Sequence, residues 1–312
     1  MTNSSTREFT VPETLAGVRL DKVAAQLAEG LSRARVKRAI DEGAVRVNGR
    51  KRPKGAVVDA GDVIAIDLGE VANPDAPCEA TPTAQLVVRL ETPKLLIVDK
   101  PAGQPTAPLR PGETGTLANA LLGHYPELRG IGYGPREPGI VHRLDTETSG
   151  LLIVAREQAS FDALKDALKD DRIEKTYLLV CKRLGLADTG SIEFPITNHP
   201  KDQRRVYACV HPRDVMRYSP RPASTTYEVI GQKGEFALVR VKVARALRHQ
   251  IRAHFAAIDH ALVGDWLYGG PVVEGLGRHA LHASQISFVG SPEIEAFNVE
   301  SPLPAELKLL VA

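Results

Sequence analysis

Residues 70–85, EVANPDAPCEATPTAQ, are rich in Pro and Ala and carry no hydrophobic period. Such a stretch supports neither helix nor strand, so it divides the chain and is expected to be an interdomain linker. On its N-terminal side, residues 9–69 hold a compact pattern. Leu20, Val23, Ala24 and Leu27 recur at helical spacing. Ser32 stands at an N-cap position before RARVKRAI, in which Val36 and Ile40 share a face, and Gly43 supplies a stop. Val45-Arg46-Val47 alternates like a strand, Asn48-Gly49 is a hairpin-turn pair, and residues 63–66 make a further short strand. Residues 1–8 are polar and expected to lie loose. On the C-terminal side, residues 86–312, strand-like runs dominate: LVVRL at 86–90, LLIV at 95–98, LLIVA at 151–155, TYLLV at 176–180 and ALVRVKV at 237–243. Helical patterns, at 161–168 and about 249–257, are fewer. The mixture predicts an α+β domain on a mixed, largely antiparallel central sheet.

The 312 residues carry a formal charge of only +2, so the distribution of charge matters more than its total. Residues 17–54 hold eleven Lys/Arg against four Asp/Glu, a net of +7, which leaves the remainder net acidic by five. A basic module suits a phosphate backbone, because each neutralised phosphate releases condensed counterions. A solvated helix face is the plainer account of a charge run. Here, however, Arg33 and Lys37 lie one turn apart at a helix start and Arg50-Lys51-Arg52 follows the hairpin turn, which favours RNA as partner. Cys78, Cys181 and Cys209 form no CxxC pair and leave an odd count, so neither a disulfide framework nor a zinc cluster is indicated and a reducing cytoplasm fits. The start of the chain lacks an apolar signal core, and no apolar run approaches the roughly 18 residues of a spanning helix, so no membrane partner is expected. A monomer is the expectation.

GIVHRLDTETSG at 139–150, followed at once by LLIVAR, sets one carboxylate, Asp145, beside His142 and Arg143 in a polar turn between strand-like runs. For an isolated Asp, a turn or cap role would be the better account. A carboxylate can equally act as base, acid, metal ligand or nucleophile. His142 alone is weak support for a metal, since no second His/Asp cluster joins it nearby. Thr148-Ser149-Gly150 is not a GxSxG elbow, and no GxxxxGK loop is present. The glycines at 130–134 are followed by Pro135 and Pro138, which marks a loop and not a dinucleotide site. His249 and His254 are five apart and do not share a helix face, so a structural or hydrogen-bonding role is preferred for both.

The full string HRLDTETSGLLIVAR resembles the active-site motif of the RluA-type pseudouridine synthases. VDKPAG at 98–103 is similar to their V-N-K-P-A-G, with Asp99 in place of Asn. EKTY at 174–177, HQIRAH at 249–254, GDWLYG at 264–269, LHA at 281–283 and SPLP at 301–304 match further blocks in the family's order. Residues 17–66 in turn resemble the S-four-type (alpha-L) RNA-binding domain. That likeness implies that Arg33, Arg35, Lys37 and Arg38 face RNA. The likeness of the larger part implies a pseudouridine synthase fold that isomerises uridine to pseudouridine within structured RNA, without metal or other cofactor. Asp145 would be the nucleophile, toward either the ribose or the uracil ring. Tyr177 would lie against the uracil and move a ribose proton. Arg252 would pair with Asp145 and hold it charged and aimed. Arg143 would fill the space left by an extruded uridine or hold RNA, with His142 and Arg248 also among the RNA-binding residues. Ribosomal RNA, of the large subunit, is the expected substrate, with tRNA as the alternative.

Two blocks depart from the family pattern. T-G-R-x-H-Q-I-R falls on Arg245-Ala246-Leu247-Arg248-His249-Gln250-Ile251-Arg252, so the family arginine is Leu247, with Arg245 or Arg248 as neighbouring sources of charge. The histidine of K-P-A-G-x-x-V-H-P is missing, and Gln104-Pro105-Thr106-Ala107-Pro108 stands there. The change at Leu247 motivates a second reading, a non-catalytic RNA-binding or ribosome-assembly factor on the same fold. A hydrolase using Asp145 and His142 ranks below both.

Overall fold

The computed structural model describes residues 6–28, 33–67, 76–243 and 246–311. The chain divides into two compact units, one running to Pro77 and including Leu109–Glu113, the other made of Cys78–Pro108 and Thr114 onward.

In the first unit, four strands pair antiparallel in the order Thr6–Thr10, Val63–Asp67, Val45–Val47, Arg50–Lys51. The helices Leu20–Leu27 and Arg33–Asp41 share a core with this sheet, in which Leu20, Val23, Ala24, Val36 and Ile40 meet Val45, Val47, Ile64 and Ile66. The expected helical spacing is thus the buried face. The hairpin turns at Asn48 and Gly49 with φ of 49° and 75°, the two positive values that a type I′ turn demands. Ser32, expected as an N-cap, lies outside the described residues. Residues 6–8 were expected to be loose and are instead part of the edge strand against Val63–Asp67. A backbone ladder needs no apolar run, and Phe9 supplies the one packing contact.

The second unit is built on a nine-stranded sheet. Its order is Thr189–Ile192, Thr225–Lys233, Phe236–Lys242, Ile173–Lys182, Leu281–Phe288, Ser149–Ala155, Leu95–Lys100 and Val88–Glu91, with Phe297–Glu300 also pairing to Leu281–Phe288. All neighbours are antiparallel except one pair. Leu281–Phe288 and Ser149–Ala155 run parallel, with His282 opposite Ser149 and Ala283 opposite Gly150. The apolar runs are explained by burial on both faces. Leu96, Val98, Leu152 and Val154 pack with the helices Leu117–His124 and Gln250–Ala257, while Leu95, Ile97, Leu151 and Ile153 pack with Gln158–Lys169.

Residues 78–85 were expected to belong to the linker, and the structure corrects this. Cys78 is buried, Asn119 Nδ2 donates to the Glu79 carbonyl at 2.7 Å, Thr81 N–H to the Asn119 carbonyl at 2.9 Å, and the His124 ring to the Ala84 carbonyl at 2.8 Å. An aperiodic Pro-rich string here satisfies its polar groups against a helix instead of a ladder. Among the described residues, no helix is long and apolar enough to cross a membrane.

Candidate active site

Asp145 sits in the turn that leads into Ser149–Ala155, and the backbone on either side of it is held from several directions. Thr106 Oγ1 donates to the Leu144 carbonyl at 2.7 Å, and the Leu144 N–H returns a bond to the same oxygen at 3.3 Å. The Thr146 carbonyl accepts from Gly103 N–H at 2.9 Å and from Lys100 Nζ at 3.0 Å. Arg278 donates to the Glu147 carbonyl at 3.2 Å. Thr148 and Ser149 bond through their hydroxyls to His279 Nε2 at 2.7 Å and His282 Nδ1 at 2.9 Å. His282 Nε2 faces the Ser301 carbonyl at 3.3 Å and must donate there, which leaves Nδ1 to accept from Ser149. The turn is therefore a fixed platform, and the Asp145 carboxylate retains partial access to solvent.

Arg252, in the helix Gln250–Ala257, binds two carboxylates. Its Nη1 donates to Asp145 Oδ2 at 2.9 Å, while Nε and Nη2 form a fork onto Asp265 at 2.7 and 2.9 Å. Burial works against the charge of this guanidinium, but the hydrogen bonds and charge of Asp265, then those of Asp145, outweigh it and raise its pKa above the usual value. Asp265 is buried and also accepts from Tyr268 N–H at 3.3 Å. The Tyr268 ring lies 5.1 Å from the Arg252 guanidinium, and its hydroxyl accepts from Val206 N–H at 2.9 Å. Fork, ring and cap together fix where Arg252 points.

Tyr177 is buried on the strand Ile173–Lys182, where burial, and secondly the charge of Asp145, raise its pKa. The phenol is therefore neutral beside the carboxylate. Lys100 is fully buried, and its ammonium donates to the carbonyls of Pro101, Gln104 and Thr146. Burial pushes it down to about 7, with the charges of Glu147 and Asp145 opposing. His249 has φ of 52°, holds its ring 3.6 Å from Asp145 Oδ2 and bonds Tyr268 through Nδ1 at 3.1 Å. It stands beside Asp145, where the sequence favoured a structural or hydrogen-bonding role for it. His254 fits that expectation: Nε2 donates to the Phe194 carbonyl at 2.8 Å, so Nδ1 accepts from Thr225 at 2.8 Å. Among the described residues, no group of three or more His, Cys, Asp or Glu is placed to hold a metal ion.

The structure brings Asp145 and Arg252 into contact, with Tyr177 close enough to feel the carboxylate's charge. Arg143 is exposed and 3.5 Å from Glu137, and Arg248 is exposed with Nη2 on the Gln203 carbonyl at 2.6 Å. His142 was expected among the RNA-binding residues. Its Nε2 accepts from Ile153 N–H at 3.2 Å, and burial, reinforced by the Lys175 charge, pushes its pKa down to about 3. The neutral ring thus ties the turn to the strand Ser149–Ala155. Arg33 and Lys37 are exposed, Arg35 is half-buried, and Arg38 is ion-paired with Glu42 at 2.7 Å. Leu247 packs with the apolar cluster of Ile196, Val206, Ala253 and Tyr268. Arg245 lies outside the described residues. Asp265, Tyr268, Lys100 and Thr106 received no role from the sequence. The first two stand in the matched block GDWLYG, which could have flagged them.

Comparison with known proteins bears on the family and the fold. The family model described as RNA pseudouridylate synthase matches residues 94–257, and that of the S4 domain matches residues 18–64. A protein of Nitrosomonas europaea named ribosomal large subunit pseudouridine synthase D is 35% identical over 320 residues, covering 99% of this chain and 88% of that one. An uncharacterized RNA pseudouridine synthase of Synechocystis sp. is 33% identical over 305 residues, covering 96% and 90%. Human RNA pseudouridylate synthase domain containing 1 superposes with a TM-score of 0.58 at 22% identity, over 73% of this chain and 88% of that structure, which bears on the fold alone. The chain belongs to the RNA pseudouridine synthase family, with an S4 domain at its N-terminal side.

Proposed function

We propose that Asp145 is the nucleophile with which this RNA pseudouridine synthase isomerises a uridine of large-subunit ribosomal RNA. The observation that carries the reading is the fixed turn around Asp145, with its carboxylate on a guanidinium that Asp265 anchors. The RNA is inferred from relatives named as ribosomal large subunit pseudouridine synthases. Asp145 attacks the ribose at C1′ or the uracil ring. In either route the N1–C1′ bond breaks, the uracil turns, C5–C1′ forms and the bond to Asp145 breaks to return the carboxylate, while C5 gives up its proton and N1 gains one. Atoms and electrons balance without a redox partner. Arg252 directs the carboxylate throughout. Tyr177 lies against the uracil, and a bond to Asp145 that consumes its charge removes one of the two causes that keep the proton on the phenol.

Residues 9–69 bring RNA through Arg33, Arg35, Lys37 and Arg38, and residues 86–312 carry the chemistry, with Arg143 and Arg248 holding RNA beside the extruded uridine. The protein acts as a monomer in the cytoplasm, a setting that suits its three free, buried cysteines. The test is incubation with ribosomal RNA and tRNA followed by carbodiimide mapping. The wild type forms pseudouridine in large-subunit RNA, and Asp145→Asn binds the same RNA but forms none. Product from the Asn variant would remove Asp145 from the chemistry, and product confined to tRNA would overturn the substrate.

A further inference from the structure

Trp266 is the only tryptophan of the chain, and 70% of it is exposed. Large aromatic side chains carry the greatest apolar payload of any residue and are ordinarily well covered. The exposure is built in. In the short turn Trp266–Tyr268, Asp265 caps the start and Tyr268 is buried, so the indole alone points outward. The turn is tied to the candidate centre, since Asp265 grips Arg252 and Arg252 holds Asp145. A large planar apolar surface therefore begins one residue from the network that aims the carboxylate.

A cation stands over that surface. The Arg204 guanidinium lies 6.0 Å from the Trp266 ring centre. It is not a wandering side chain, because Asp202 holds it by two hydrogen bonds of 2.9 and 3.0 Å. Asp202 is fixed in turn by its N–H on His199 Nδ1 at 3.0 Å. The hairpin that carries Arg204 pairs Ile196–Asn198 with Val206–Ala208, and Val206 is bonded to the Tyr268 hydroxyl. Both halves of the Trp266–Arg204 pair are thus anchored on the same buried tyrosine. The surrounding segment 199–221 holds six Lys/Arg against two Asp, although the chain outside residues 17–54 is net acidic.

We propose that Trp266, with Arg204 beside it, is a stacking platform for an unpaired nucleobase of the RNA that flanks the extruded uridine. The inference rests on the reading of Asp145 as the centre of RNA pseudouridylation. Flipping a uridine leaves its neighbours without a stacking partner. An open indole beside a fixed guanidinium replaces that partner for any base, and the local positive charge draws the adjoining phosphates.

The single tryptophan makes its own reporter. Full-length protein carrying Asp145→Asn is titrated with transcribed large-subunit ribosomal RNA, reading Trp266 emission and its quenching by acrylamide. Emission falls and acrylamide access is lost over the same RNA concentrations that saturate binding. Trp266→Ala on the wild-type background raises KM for RNA about tenfold, the loss falling on KM and not on kcat, and Trp266→Phe recovers most of it. Arg204→Gln raises KM by a smaller factor. Saturated binding with emission and acrylamide access unchanged would overturn the platform, as would a Trp266→Ala KM within about twofold of the wild type. Protection of Trp266 by ribosomal protein but not by naked RNA would also overturn it. Pseudouridine yield on the same RNA reports separately on the underlying reading: product without quenching sinks only the platform, and quenching without product sinks only the assignment of the chemistry.

Discussion

At the scale of single residues, the arrangement around Arg252 turns on one guanidinium shared by two carboxylates. The planar fork is occupied by Asp265, which leaves Nη1 as the atom offered to Asp145. Removing one side of a buried pair strands the other charge, at a cost of about 3–5 kcal/mol. Asp265→Asn is therefore expected to lower the urea midpoint without altering the slope, and to cut kcat about a hundredfold through misplacement of Arg252 while RNA affinity holds. A kcat within threefold of the wild type would show that Arg252 needs no such anchor. His279 makes a second prediction. Burial, then the Arg252 charge, pushes its pKa from 6.5 down to about 4. The unfolded chain takes up a proton in this window that the folded chain refuses, so stability is lost as pH falls from about 6.5 through about 4, at up to about 1.4 kcal/mol per unit. His279→Gln should lose less between pH 6.5 and 4.5 than the wild type, measured as urea midpoints. Asp145, Tyr177 and Arg252 were legible because they stand in distinctive blocks. Thr106 was not, since its work is done on a carbonyl about forty residues away, and Lys100 drew no role although it stands in the block VDKPAG, since it too binds carbonyls, and a carbonyl leaves no mark in a sequence.

At the scale of elements, the one parallel joint in the sheet carries the turn. Ser149 and Gly150 open their strand beside His282 and Ala283. Gly150 has φ of 114°, and a Cβ there would stand 2.2 Å from the Ala283 carbonyl oxygen. Gly150→Ala therefore meets both a forbidden backbone angle and a wall of backbone, and about 4 kcal/mol or more of destabilisation is expected. A thermal or urea melt showing less than about 1 kcal/mol would mean that the two strands part easily. Elements with a strong period were legible: the amphipathic helix Gln158–Lys169 and the hairpin at Asn48-Gly49 follow from spacing and turn chemistry. The helix Leu117–His124 was not, because six of its eight residues are buried and no polar face remains to set a period. The edge strand Thr6–Thr10 was hidden for the opposite reason, having almost no buried face at all.

At the scale of the whole molecule, charge and chemistry are divided between different stretches of the chain. The net +7 of residues 17–54 stands against a net acidic remainder, so the bulk of non-specific RNA attraction belongs to the N-terminal unit. The cations there are not equivalent. Arg38 pairs with Glu42 and Arg19 with Asp21, exposed ties that a phosphate contact has to displace. Arg33 and Lys37 are exposed on the same helix and are the better candidates for phosphate contacts. Each contact contributes roughly 0.7 to 0.9 to the slope of log affinity against log salt. Replacing Arg33 and Lys37 together by Ala should flatten that slope by about 1.5 between 50 and 200 mM salt, weaken binding to all RNA sequences alike, and leave kcat at saturating RNA unchanged. Arg240→Ala, which removes a cation paired with Glu228 at 2.9 Å, should leave the slope as it was. An unchanged slope in the double variant would move the phosphate contacts off this helix. Weakening that varied from one RNA sequence to another would mean that these side chains read bases as well as hold the backbone.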